Sequence, residues 1–357
     1  MTVHRDYYFD EQAGHCPADA ALGLETCYTP ALARMMCRGA AQGSYREASQ
    51  DLFEYAGVKV CDRQIQRLVQ AVAPALGPWL QTHQSQPEIA LMYASPDGTG
   101  VPMRKEALAG RKGKQSDGSA KTREAKLGCV FLQAETDEKG HPVRKEESTS
   151  YIGSFEGAVE FGLLLRQEAQ RRGMAHATRI IFIGDGAAWV WELARVNFPG
   201  AVLILDFYHA SQHLHQLVEA LEGKDSPEGK KQIKLWKGWL LQDQAPQLIK
   251  EAKAKVSKSL DKEKAEKEIG YLENNLERMT YGTFRKAGYF IGSGVVEAGC
   301  KTVIGKRMKC SGMFWSEEGG QGILDLRCAF LSDRLDTFWQ ARGAEHASRN
   351  DPLKFAA

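Results

Sequence analysis

The sequence predicts an α/β fold in which a mixed sheet is interrupted by an all-helical insertion and preceded by a helical amino-terminal region. Three observations predict it. Short apolar runs between residues 88 and 209 alternate with amphipathic stretches; residues 210–288 are rich in Lys, Glu, Gln, Leu and Trp; and a glycine-punctuated block, GSGVVEAGCK, follows from Gly292. Strand-length and helix-length periods are thus segregated along the chain, as layered folds require.

Residues 1–40, with the aromatic cluster and lone Cys16 of YYFDEQAGHCPADAALGL, show no clear period and read as the remnant of an amino-terminal region. Over 41–87, SYREASQDLFEYAG reads as an amphipathic helix capped by Ser44 and broken at Gly57, and VCDRQIQRLVQAVAP as a second helix stopped by Pro74. Two short helices across a glycine turn fit a helix-turn-helix or a helical hairpin packed on the main core.

From residue 88 the pattern becomes extended. IALMYAS ends at Pro96-Asp97-Gly98, KLGCVFLQAET is a second strand, and VRKEESTSYIG is a polar, edge-like third. The helix FEGAVEFGLLLRQEAQRRG follows, then strand RIIFIG, helix AAWVWELARVNF and strand AVLILD. Three strands followed by alternating helix and strand match the mixed sheet of a ribonuclease H-like fold. In that fold the first and fourth strands are neighbours, about 4.8 Å apart. The sheet domain is expected over 88–209 and 289–335, with a separable helical insertion at 210–288 between its two parts and a loosely ordered tail at 336–357.

At 357 residues, 43% hydrophobic and 26% charged, the chain reads as a soluble globular protein of two or three folding units. A net charge of +2 does not by itself announce a nucleic-acid partner. Basic residues are nonetheless clustered: Arg104, Lys105, Arg111, Lys112, Lys114, Lys121, Arg123 and Lys126 face three acids within 104–126, and Lys301, Lys306, Arg307 and Lys309 face none within 301–309. The eight cysteines contain no CxxC pair, which suits reduced thiols in a cytoplasm. No apolar run reaches the roughly 18 residues of a membrane span, and MTVHRDYYFDEQ is too polar for a signal peptide, so a cytoplasmic protein without a membrane partner is expected.

Three carboxylates carry the chemical reading. Asp97 closes the first strand, Asp185 closes RIIFIG, and Glu297 lies just inside GSGVVEAGCK. An aspartate at a strand end is ordinarily a turn former. Two such ends on neighbouring strands, with a glutamate from a later helix, instead suit two-metal phosphoryl transfer, where oxygen ligands hold two hard cations roughly 3.5–4 Å apart. Lys301 stands one helical turn after Glu297, as a phosphate-binding cation or as half of a surface ion pair. Asp206, which ends the apolar strand in LILDFYH, competes for the second carboxylate position, but its spacing to His209 suits a carboxylate that orients an imidazole. His209 and His213 have a superficial zinc spacing without an HExxH glutamate. Within the insertion, Lys230, Lys234 and Lys237 lie near Trp236 and Trp239, either as a DNA-contacting face or as an amphipathic helix with its tryptophans in the core.

Together, DGTGVPM, GDGAAWVW, LDFYHASQHL and GSGVVEAGCKTVIGKRMKCSGMFWSEEGGQGILDLR resemble the transposases of Kra-type bacterial insertion sequences, relatives of the Mutator-like group, over residues 88–331. The resemblance implies a DDE transposase that cleaves DNA and transfers strands at insertion-sequence ends. It implies Asp97, Asp185 and Glu297 as catalytic metal ligands for two Mg²⁺ ions, with Mn²⁺ able to substitute. Asp206 and His209 correspond to the group's D-x-x-H signature, and Lys306, Arg307, Lys309 and Trp315 to its segment after the glutamate. DNA is the expected partner, bound by a homo-oligomer, and the chain is expected to be amino-terminally truncated relative to the family. The same carboxylates also fit a ribonuclease H-like nuclease without strand transfer, or a catalytically silent DNA-binding protein from a truncated element. A strand-joining assay separates the first of these, and metal-dependent cleavage the second.

Overall fold

A computed structural model describes residues 6, 8–9, 14–21, 24, 28–82, 91–110, 113 and 120–349. The chain is α/β and divides into two compact units, one of Met1–His83, Val101–Arg123 and Thr302–Ala357, the other of Gln84–Gly100 and Glu124–Lys301. Arg111, Lys112 and Lys114 of the basic run and residues 350–357 lie outside the described residues; the loose order expected over 336–357 is corrected for 336–349, which are helical.

The first unit opens with two antiparallel two-residue strands, β1 (Tyr8–Phe9) and β2 (Gly14–His15), and a short helix, α1 (Pro17–Ala21). Three longer helices follow: α2 (Pro30–Gln42), α3 (Tyr45–Ala56) and α4 (Asp62–Thr82). The expected boundary at residue 40 is corrected, because α2 runs through it and buries Met36, Cys37, Ala40 and Ala41. Ser44 starts α3 as expected, in a reciprocal cap: its hydroxyl accepts the Glu47 N–H at 3.2 Å while Glu47 Oε2 accepts the Ser44 N–H at 2.7 Å.

The stop expected at Pro74 is also corrected. The α4 helix continues through Pro74 and Pro78 to Thr82. Both prolines are exposed, whereas Ile65, Leu68, Val69, Val72, Leu76 and Leu80 form an unbroken buried stripe. Each proline removes one helical hydrogen bond on the solvent side, where water satisfies the freed carbonyl, while packing of the apolar face holds the helix together. The α4 helix packs against α2, α3 and α14 (Glu317–Leu331), and a last helix, α15 (Leu335–Arg349), packs on α2 and α14. The α3–α4 pair is therefore part of a helical bundle.

The second unit is built on a six-stranded mixed sheet. Its strands are β3 (Leu91–Pro102), β4 (Thr122–Thr136), β5 (Pro142–Arg144), β6 (Ser150–Ser154), β7 (Arg179–Gly184) and β8 (Val202–Leu205). They run in the order β5-β4-β3-β7-β8, with β6 also pairing with β4; β3, β7 and β8 are parallel, and β5 and β6 are antiparallel to β4. The single third strand expected over VRKEESTSYIG is two strands. A turn with Glu147 at φ 53 separates them, and the Ser148 hydroxyl, rather than a strand partner, receives the Leu132 N–H at 3.1 Å.

Side-chain alternation along β3 sorts the core into two layers. Met92 and Ala94 join Phe161 and Leu165 of α5 (Ala158–Arg171) and Val190 and Leu193 of α6 (Ala188–Asn197) on one face. Tyr93 on the opposite face joins a cluster that runs through the helices after β8. These are α7 (Phe207–Glu222), α8 (Pro227–Leu240), α9 (Ala245–Lys255), α10 (Lys262–Asn274), α11 (Tyr281–Lys286) and α12 (Gly294–Gly299). The insertion is all-helical as expected, but it is not a separable body: Trp236, Leu240, Leu248 and Leu272 share one core with Tyr93, Phe131 and Ile183 of the sheet. A π-helical turn, Cys300–Gly305, continues α12, and a single turn, α13 (Lys306–Met308), follows it.

The seven described cysteines form no disulfide with one another, and Cys27 lies outside the described residues. No described helix is long and apolar enough to cross a membrane.

Candidate active site

Backbone register alone brings three aspartates to one level. Leu91 pairs with Arg179 and Ala94 with Phe182, and the same offset carries Asp97 to Asp185. Gly184 pairs with Leu205, which sets Asp185 beside Asp206. The three acids therefore stand side by side on three adjacent parallel strands, about 4.8 Å apart from one strand to the next. Asp185 and Asp206 directly follow the last residues of β7 and β8, whereas β3 runs through Asp97 to Pro102, so the strand end expected at Asp97 is corrected. Carboxyl ends of parallel strands are where open α/β sheets place their ligands.

Asp97 is half-buried and accepts the Gly98 N–H at 2.7 Å. Burial pushes its carboxyl above the usual aspartate value; the Cys300 thiol and the Gly98 N–H oppose this, the charge of Asp185 adds to it, and that of His209 opposes it. Asp185 accepts the Ala187 N–H at 2.9 Å, turning the chain into α6. Its own carbonyl receives the Tyr271 hydroxyl at 2.6 Å. Gly186, at φ 95, is required there twice over: the conformation disfavours other residues, and a Cβ would lie 2.4 Å from the Tyr271 oxygen. The Tyr271 ring stacks on His213 at 3.5 Å between centroids, and His213 Nδ1 is 2.5 Å from the buried carboxylate of Glu268. Burial raises the Tyr271 pKa, with the charges of Asp185, Asp206 and Glu268 adding to it. Tyr271 is accordingly a neutral donor.

Asp206 is 0% exposed and caps α7. Its Oδ1 accepts the His209 N–H at 2.7 Å and lies 3.2 Å from His209 Nδ1, while Oδ2 accepts the Ser293 N–H. Burial alone would push the carboxyl up, but the bonds from His209 and Ser293 together hold it below the usual value. Ser293 in turn donates its hydroxyl to Glu297 Oε1 at 2.9 Å. Glu297 Oε1 is 4.0 Å from His209 Nδ1. The α12 helix that carries Glu297 can sit this close to the sheet because Gly299 has no side chain; a Cβ there would be 2.6 Å from the Tyr151 ring. His209 is held above the usual histidine value, first by its bond to Asp206 and then by the charges of Asp206, Asp185 and Glu297, against the effect of burial.

Asp206, His209 and Glu297 form the tightest grouping, each offering a donor atom within 4.8 Å of the others. Asp97 and Asp185 stand close enough to influence one another and His209 electrostatically. Carboxylate oxygens with one imidazole are a donor set that could hold a divalent cation. Four carboxyl groups gathered around one imidazole favour a cation among them.

The expected DNA-contacting residues divide. Lys301, Lys306, Lys309, Lys230 and Lys234 are exposed, and Lys237 is half-buried. Arg307 is corrected from a phosphate contact on an open surface to a buried residue: it is 1% exposed and donates Nε to the Ala40 carbonyl at 2.9 Å. Arg327 bonds the adjacent Ala41 carbonyl, so two arginines satisfy the last-turn carbonyls of α2. Trp236 is 0% exposed and cannot stack on a base, which settles its half of the Lys-Trp pattern in favour of core packing. Arg123 and Lys126 of the basic run pair with Glu317 and Glu124.

Sequence reasoning found the three aspartates, Glu297 and the Asp206–His209 pair, but not Ser293, Tyr271 or Cys300. Ser293 had a signal in its GSG context, whereas Tyr271 lies in an ordinary amphipathic helix and had none. No family model matches the chain, and no curated protein matches it.

Proposed function

We propose that the chain is a DDE-type DNA transposase whose second unit is a ribonuclease H-like catalytic domain. One observation carries the reading: Asp97, Asp185 and Asp206 share one level across three parallel strands, with Glu297 linked to Asp206 through Ser293. The order β6-β4-β3-β7-β8 supports it, since it sets the first and fourth long strands side by side, as that fold requires. Asp97, Asp185 and Glu297 would hold two Mg²⁺ ions, which when bound supply charge neutralisation and activation of the attacking oxygen in an in-line displacement at phosphorus.

The surrounding residues position this set. Asp206 fixes the start of α7 and the loop before α12; His209 places its imidazole between Asp206 and Glu297; Tyr271 fixes the turn after Asp185. Lys301 and Lys306 are exposed near Glu297 in sequence and are assigned to phosphate contact. DNA, a homo-oligomeric assembly on it and a cytoplasmic setting belong to the same proposal.

The test is purified protein with labelled element ends and Mg²⁺, scored for nicking and for joining to target DNA. Both products are expected, and absence of metal-dependent nicking overturns the reading. The compact Asp206, His209 and Glu297 grouping favours a second reading, a nuclease using one ion held there. It predicts nicking without joining, and loss of Mn²⁺ binding in His209→Ala.

A further inference from the structure

The first unit holds a recess of ≈ 220 Å³ that the proposed chemistry does not use. Among its lining residues are Tyr45, Arg104, Arg307, Phe314, Trp315 and Ser316. The Arg307 guanidinium lies between two aromatic rings, 5.0 Å from the Tyr45 centroid and 5.1 Å from that of Trp315. Its Nε is bonded to Ala40 and its Nη1 lies 3.5 Å from Met313 Sδ. Nη2 is buried and has no hydrogen-bond partner among the described residues. An unpaired buried donor on a charged group is costly, and an anionic oxygen would satisfy it.

Three further features converge there. Ser44 and Ser316 cap the amino termini of α3 and α14, so two helix dipoles place positive charge at the recess. Of the acids in those first turns, Glu47 accepts the Ser44 N–H and Glu317 pairs with Arg123, while Glu318 is exposed. Phe314 leaves a ring 51% exposed beside them. The loop is fixed rather than adaptable: Trp315 donates its N–H to Pro102 at 3.2 Å and its indole to Met308 at 3.0 Å, and accepts the Arg104 N–H at 2.8 Å.

We infer that this recess binds a single unpaired nucleotide of a nucleic-acid strand, its phosphate against Arg307 and Arg104 and its base stacked on Phe314. At ≈ 220 Å³ the recess is below the roughly 300–1,000 Å³ of sites that enclose a drug-sized ligand; it excludes a duplex and would take the phosphate of one nucleotide, with the base lying outside on the exposed Phe314 ring. Aromatic stacking is tolerant of base identity, so little sequence preference is expected.

The experiment is fluorescence anisotropy of the full chain with a labelled eight-residue oligothymidylate in EDTA, competed with thymidine monophosphate, inorganic phosphate or duplex DNA. Phe314→Ala and Arg104→Ala alter exposed side chains, and thermal melts confirm that each variant folds. Phe314→Ala should weaken oligothymidylate binding by about 5- to 100-fold, the span of one lost base stack, while Phe314→Tyr restores it. Arg104→Ala should flatten the salt dependence by roughly 0.7 units, one phosphate's share on a single strand. Thymidine monophosphate should outcompete inorganic phosphate. Parental binding by both alanine variants, or equal competition by phosphate and the mononucleotide, overturns the inference. Because no divalent metal is present, the result is independent of whether the carboxylates cleave DNA.

Discussion

Tyr271 donates its hydroxyl to the main-chain carbonyl of Asp185, so a helix of the insertion fixes the turn that presents a candidate metal ligand. Removing only that oxygen in Tyr271→Phe should cost about 1 kcal/mol of stability, the net worth of one hydrogen bond. Single-turnover cleavage should slow while DNA affinity stays unchanged. Gly186→Ala should be worse, because it combines an unfavourable φ with a collision against the same ring. Denaturant melts and single-turnover assays on the two variants check this order.

Asp97→Asn and Glu297→Gln each remove ligand charge while keeping bulk. Metal-dependent cleavage should fall by more than about 100-fold, beyond what loss of a supporting partner causes. Gel-shift affinity for element-end DNA should stay near parental. Cleavage at the parental rate in either variant would take that residue out of the metal site.

Asp206 and His209 should separate stability from metal binding. Asp206→Ala leaves the N–H groups of Ser293 and His209 without their acceptor and removes the cap of α7, which should cost about 2–4 kcal/mol. His209→Ala should lower activity while calorimetric titration still shows Mn²⁺ binding. Complete loss of Mn²⁺ would make the imidazole a direct ligand.

Asp325, in α14 of the first unit, gives a pH dependence of stability. Burial pushes its carboxyl up to about 7, against a bond from Gln321 that lowers it. The folded value is raised above that of the unfolded chain, so the unfolded state binds fewer protons between about pH 4 and 7, and stability falls as pH rises through that window. Below the window no penalty exists, and above it the penalty is constant. The residue keeps partial solvent contact, so Asp325→Asn should gain about 1–2 kcal/mol at pH 8 rather than the roughly 4 kcal/mol of a sealed site. The gain should vanish near pH 4. Thermal melts of both proteins at the two pH values test it.

What the sequence made legible follows from what is local. Apolar runs ending at Asp185 and Asp206 announce two strands and their termini, the run ending at Asp97 announces a strand that continues past it to Pro102, and the order of runs announces the mixed sheet. The split between β5 and β6 depends on Ser148 taking a ladder position on β4, which no window around residue 148 reveals. Continuation of α4 through Pro74 depends on which face meets α14. Arg307 looks like its neighbours Lys306 and Lys309 in sequence; only the α2 carbonyl, 267 positions away, distinguishes it. Long-range partners of this kind also decided Tyr271 and Ser293.

The α7 and α10 helices form an out-and-back strut. The first leaves the carboxylate row at Asp206 and extends for 16 residues, about 24 Å of rigid rod. The second returns antiparallel to it, cross-tied by Lys264 to Glu219 at 3.2 Å and His213 to Glu268 at 2.5 Å, and ends by gripping the Asp185 carbonyl. The two feet of the strut are Asp206 and Asp185, so a shift of α7 along α10 would change the spacing of these two acids.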